Sequence, residues 1–193
     1  MKKIPIRIDA KFMTDKNFDY HALGVISFFG TKDYGKSISL NQKYLYEHKE
    51  EVEDISQKKL NSIYRVMKKM SKEYKDIISV SKDIQKKNVY HTSYCDKSGK
   101  GYILIEEDAL KTLLRGKDTN IIKTYLLLKM ICKNNKKIIT REYICRNIGL
   151  SPNSSNNLSK ISKITDFLEK NNLIKKEYIV NQGCTNNIIY SII

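Results

Sequence analysis

Leu158-Ser159-Lys160-Ile161-Ser162-Lys163-Ile164-Thr165-Asp166-Phe167-Leu168 is the stretch on which the fold turns. Leu158, Ile161, Ile164 and Leu168 recur at intervals of three, three and four, which puts them on one side of an α-helix and polar residues on the other. The same intervals separate Leu60, Ile63, Val66 and Met70, 98 residues earlier. Working outward, the neighbours of the two stretches also match in order. Ile4-Pro5-Ile6-Arg7-Ile8 alternates ahead of Asp9-Ala10, and Tyr102-Ile103-Leu104-Ile105 precedes Asp108-Ala109, so that Asp-Ala recurs after 99 residues. Apolar helical stretches follow at 20–29 and 121–131, and short amphipathic helices follow Ile38-Ser39 and Ile139-Thr140. Ile77-Ile78-Ser79-Val80 and Leu173-Ile174-Lys175-Lys176 close the two copies as β-like runs. Repeats of this length are whole folding units rather than solenoid elements, so the pattern predicts two similar α+β domains related by internal duplication.

Composition sets the outer limits. A chain of 193 residues with 40% hydrophobic content can form one medium domain or two small ones with packed cores. It has no apolar run long enough to predict a membrane span, and Met1-Lys2-Lys3-Ile4-Pro5-Ile6 lacks the apolar stretch of a signal peptide, so a cytoplasmic protein is expected. Cys95, Cys132, Cys145 and Cys184 contain no CxxC pair, and His21, His48 and His91 have neither ligand nor catalytic spacing. Free thiols, no metal, no cofactor and no enzymatic activity are the expectation. The formal charge is +15, from 36 Lys and Arg against 21 Asp and Glu. Such an excess favours a polyanionic partner, although a lysine-rich AT-biased genome also produces it.

Taken in order, residues 4–8 read as an edge strand, 19–29 as a helix broken by Gly30, and Ser39 as the cap of a short helix containing Tyr44 and Leu45. An acidic connector at 49–54 leads to a helix at 56–71, and a hairpin is expected from 77–82 and 89–94. The polar, glycine-containing Asp96-Lys97-Ser98-Gly99-Lys100-Gly101 marks the boundary between a first domain at 1–96 and a second at 101–193. The second domain reads as a strand at 102–105, helices at 107–114, 120–132 and 140–147, a long helix at about 155–171, and strands at 173–180 and 188–193. Lys133 to Lys137 is read as a basic loop, and Ser151-Pro152 is an alternative start for the long helix.

Thr140-Arg141-Glu142-Tyr143-Ile144-Cys145-Arg146-Asn147-Ile148-Gly149-Leu150-Ser151 resembles the start of a bacterial winged helix-turn-helix, and Leu168-Glu169-Lys170-Asn171-Asn172-Leu173-Ile174 resembles the passage from recognition helix to wing, with Asn where glycine is usual. The resemblance covers 102–193; residues 4–94 join it through the repeat. Two such domains in tandem, each opened by a strand, are similar to the replication initiators of bacterial plasmids. The resemblance implies sequence-specific binding of double-stranded DNA at repeated origin sites, a homodimer, and contact with host replication proteins. Transcriptional or partition regulation, or a winged-helix protein-interaction module, are alternatives on the same scaffold.

The residues expected to meet DNA are the polar faces of the two long helices and the first wing. In the first domain these are Lys58, Lys59, Asn61, Ser62, Arg65 and Lys69, with Lys86 and Lys87 at the wing tip. In the second they are Asn156, Ser159, Lys160 and Lys163. Lysine neutralises phosphate, whereas arginine and asparagine also read base edges. Arg65, Asn61, Asn156, Ser159 and Lys163 are therefore the base-reading candidates, and Lys58, Lys69, Lys86 and Lys160 the backbone candidates. Lys175 and Lys176 at the base of the second wing, and Lys133, Lys136 and Lys137, form weaker basic patches. Ordinary solvated helix faces are the plain alternative for all of them.

Overall fold

The computed structural model describes residues 3–8, 10–29, 38–41, 65–66, 68–75, 78–82, 89–94, 101–116, 118–133, 135–181 and 184–193. Its elements begin with β1 (Lys3–Arg7), α1 (Ala10–Thr14), α2 (Tyr20–Phe29), β2 (Ile38–Asn41), β3 (Ile78–Lys82), β4 (Val89–Tyr94) and β5 (Tyr102–Glu106). They continue with α3 (Glu107–Arg115), α4 (Thr119–Cys132), β6 (Lys137–Ile138), α5 (Arg141–Asn147), α6 (Ser155–Lys170), β7 (Ile174–Asn181) and β8 (Cys184–Ile192). The chain forms two compact units, Met1–Ile6 with Asp19–Arg115, and Arg7–Phe18 with Gly116–Ile193. The boundary expected at 96–101 lies, apart from Gly101, outside the described residues.

In the first unit β1 is hydrogen-bonded to β5, with Ile4, Ile6 and Ile105 buried. The Asp19 carboxylate accepts from the backbone N–H groups of His21 and Ala22, which starts α2. Tyr20, Ala22, Leu23, Val25 and Phe28 of that helix are buried, and α3 packs against it through Leu110, Leu113 and Leu114. His21 is buried here, its Nε2 3.0 Å from the Leu114 carbonyl oxygen. Residues 65–66 and 68–73 are helical, with Met70 and Tyr74 buried and Arg65, Lys68, Lys69, Lys72 and Glu73 exposed. The three-stranded sheet runs β2-β4-β3, both pairings antiparallel.

Ser39 corrects one expectation. It does not cap a helix but lies in β2, opposite His91 of β4, because the backbone of Ile38–Asn41 is taken up by the ladder with Val89 to Thr92. The short helix and acidic connector expected after it lie outside the described residues.

In the second unit α4 is the central helix, burying Ile121, Ile122, Tyr125, Leu126, Leu127, Leu128 and Cys132. Helices α5 and α6 and strand β8 pack against it, and the sheet runs β6-β8-β7. Lys137, expected at the end of a basic loop, instead forms β6 with Ile138, opposite Tyr190 and Ile189. Residues 7–18 complete this unit. Helix α1 packs on α5, Phe12 and Phe18 stack with ring centroids 4.6 Å apart, and the buried Lys123 ammonium donates to the Asp15 carbonyl oxygen at 2.7 Å. The leading helices of the two sequence repeats are thus apportioned crosswise: α1 belongs with α4, α5 and α6, and α3 belongs with α2.

Candidate nucleic-acid interface

Two short capping events position the helix pair α5–α6. Thr140 Oγ1 accepts from the Tyr143 N–H at 3.2 Å and starts α5, which buries Ile144 and Cys145. The helix ends with Leu150 N–H donating to the Cys145 carbonyl and Gly149 at φ +81. The start of α6, open between Ser151 and Ser155 in the sequence, is settled by Ser154, whose Oγ accepts from Asn157 N–H at 3.4 Å. Asn157 also donates its side-chain amide to the Ser151 carbonyl at 3.1 Å, which ties the turn to the helix.

Helix α6 buries Ile161, Ile164, Thr165 and Leu168, with Leu158 and Phe167 half-buried. Its opposite side carries Asn156, Ser159, Lys163 and Asp166, all exposed. Their intervals of three, four and three place them in one stripe. Three of the four second-domain candidates are therefore gathered on an open helix face. Lys160 sits beside them, but its ammonium lies 2.8 Å from Asp118 Oδ2, and Asp118 in turn caps α4. Partial burial alone would raise the Asp118 pKa; the Lys160 contact and the Asn120 hydrogen bonds outweigh it and hold the carboxyl below its ordinary range.

After α6 the chain turns through Asn172, φ +55, and enters the antiparallel β7–β8 hairpin. Lys175 is exposed and lies 3.4 Å from Glu177, which also receives a 2.6 Å hydrogen bond from Lys136. These two lysines hold the Glu177 pKa below its ordinary value. Lys176 corrects the reading of a basic wing base: its side chain is buried. Its ammonium is bonded to Asp166 Oδ1 and lies 3.1 Å from Glu169 Oε2, and its backbone N–H donates to Glu169 Oε1 at 3.0 Å. Burial disfavours the charged amine, but the carboxylate bonds outweigh it and hold its pKa above the ordinary lysine value. Strand alternation carried a signal for this, since 176 shares a face with the buried Ile174.

Arg141 was not singled out from the sequence. It is exposed at the start of α5, and its Nη1 donates to Ser162 Oγ of α6 at 3.0 Å. Tyr143 and Tyr178 are exposed aromatic side chains of the same unit, the latter under the Lys176 ammonium at 5.8 Å. Cys132 and Cys145 are free buried thiols whose pKa values burial pushes up, which keeps them protonated and unreactive.

In the first unit Arg65 and Lys69 are exposed on the helical residues 65–66 and 68–73, and Lys69 Nζ is 3.8 Å from Glu73. Lys58, Lys59, Asn61, Ser62, Lys86 and Lys87 lie outside the described residues. Among the described residues no group of His, Cys, Asp and Glu is arranged to hold a metal ion, and no helix is long and apolar enough to cross a membrane. No family model, curated protein or solved structure matches the chain.

Proposed function

We propose that the chain is a non-catalytic, sequence-specific duplex-DNA-binding protein of the cytoplasm, built as tandem winged helix-turn-helix domains and used as a plasmid-type replication initiator. The observation that carries this is the helix α6. Its buried side is fixed by Ile161, Ile164 and Leu168, its open side presents Asn156, Ser159 and Lys163, and a β-hairpin follows directly. A helix held in this way can lie in the major groove, with the hairpin beside the backbone or minor groove. The sheet orders β2-β4-β3 and β6-β8-β7 support the same arrangement in both repeats. The net charge of +15 supports phosphate as the partner.

The test is selection from a fragment library at two salt concentrations. Specific fragments retained at the higher salt are expected. Weak and uniform binding would leave charge alone as the explanation, and absence of binding would favour a protein-interaction module. Initiation is then tested by placing the gene and its flanking DNA on a replicon that cannot otherwise replicate. Maintenance dependent on an intact α6 is expected; failure to replicate, with repression of a linked promoter, would replace initiation by transcriptional control.

A further inference from the structure

The exposed stripe of α6 contains one acid, Asp166, among Asn156, Ser159 and Lys163. A carboxylate there repels phosphate. Its side chain is 65% exposed, so solvent alone would leave that charge on the binding face. The Lys176 side chain, by contrast, is only 2% exposed and cannot itself reach a phosphate. It approaches from β7 and serves two carboxylates of α6, Asp166 and Glu169, while its own backbone N–H donates to Glu169. Tyr178 covers the ammonium from the hairpin side. The positive charge is thus spent inside the unit, on the acids nearest the open face.

We propose that Lys176 is an internal counter-ion that screens Asp166 and Glu169 from duplex phosphate, a positioning residue for DNA rather than a contact to it. This rests on the duplex-binding reading above. It separates two kinds of lysine in one hairpin: Lys175 meets solvent, whereas Lys176 sets the charge that the neighbouring helix presents.

Duplex binding is measured for wild type, Asp166→Asn, Lys176→Met and the double variant Lys176→Met/Asp166→Asn. The probes are a selected fragment and a mixed-sequence duplex, each at low and high salt, with far-ultraviolet circular dichroism as the folding control. Asp166→Asn alone should change affinity by no more than about threefold, because the Lys176 ammonium, shared with Glu169, already offsets part of its charge. Lys176→Met should weaken binding to both duplexes by about tenfold at low salt and less at high salt, since the exposed repulsion is screened by ions. Adding Asp166→Asn should restore most of that loss. A purely structural lysine would give a salt-independent loss with no restoration, and that result overturns the proposal. So does a gain of more than about threefold from Asp166→Asn in the wild-type background. This single variant decides the matter if Lys176→Met does not fold. A wild-type chain that binds no duplex overturns the reading itself and the proposal with it; a wild type that binds, with a flat cycle, overturns the proposal alone.

Discussion

The turns at the two ends of the helix pair have the same hydrogen-bond pattern and different residues. After α5, Leu150 N–H donates to Cys145 O at 2.8 Å and Gly149 N–H to Arg146 O at 3.4 Å. After α6, Leu173 N–H donates to Leu168 O at 3.0 Å and Asn172 N–H to Glu169 O at 2.9 Å. Both turns need a left-handed residue, at φ +81 and φ +55. Asn172 is exposed and meets the demand with a side chain. Gly149 could not, because a Cβ there would lie 2.0 Å from the Thr14 carbonyl oxygen. Local geometry asks only for left-handed backbone; the segment packed on the turn decides whether an asparagine is tolerated.

The largest effect should come from Gly149→Ala. Left-handed strain and the collision with Thr14 together should destabilise the protein by about 3 kcal/mol or more, measured by urea unfolding. A loss near 1 kcal/mol would mean that residues 7–18 yield easily and that the two turns differ only locally. Asn172→Ala carries the backbone strain without the collision and should cost about 1 kcal/mol. The middle of α6 supplies a control through Asp118, whose carboxyl is bound to Lys160. Its folded pKa is lowered, so its contribution is present above the ordinary value of 3.8 and is lost as the pH falls through the folded value. Asp118→Asn should remove that acid dependence and, because the pair is partly exposed, less than about 1 kcal/mol at neutral pH. Unchanged acid unfolding would show that the Lys160–Asp118 pair contributes nothing. Asn172→Gly should have the smallest effect, under about 0.5 kcal/mol, since glycine fits the same φ. A large gain would show that asparagine is held there under strain.

What could be seen in the sequence divides by range. The apolar intervals of 158–168 located α6 to within a residue of its observed end, and alternating runs located β3, β4 and β7. Strong periodicity survives because burying one helix side or one strand face is a local pattern with a single solution. The strands β2 and β6 were missed, being four and two residues long and defined by partners in β4 and β8 rather than by their own pattern. Helix α1 was missed for the same reason: its five residues are too few to show a period. On the candidate interface, Asn156, Ser159 and Lys163 fell on the open stripe as spacing required. The engagement of Lys160 with Asp118 and of Lys176 with Asp166 depends on how separate elements meet, which no run of residues encodes.

The crosswise apportionment of α1 and α3 has a consequence during synthesis. Phe12, Met13 and Phe18 are translated well before the turn at Gly149 against which Thr14 rests, which is made 135 residues after Thr14. At about 5–20 residues per second the interval is roughly 7–27 s. Strand β1 likewise pairs with Tyr102–Glu106, which is translated only after β2, β3 and β4. Docking of the Phe12–Phe18 segment is therefore a long-range step that must follow translation of α5, not a local one completed as the segment emerges.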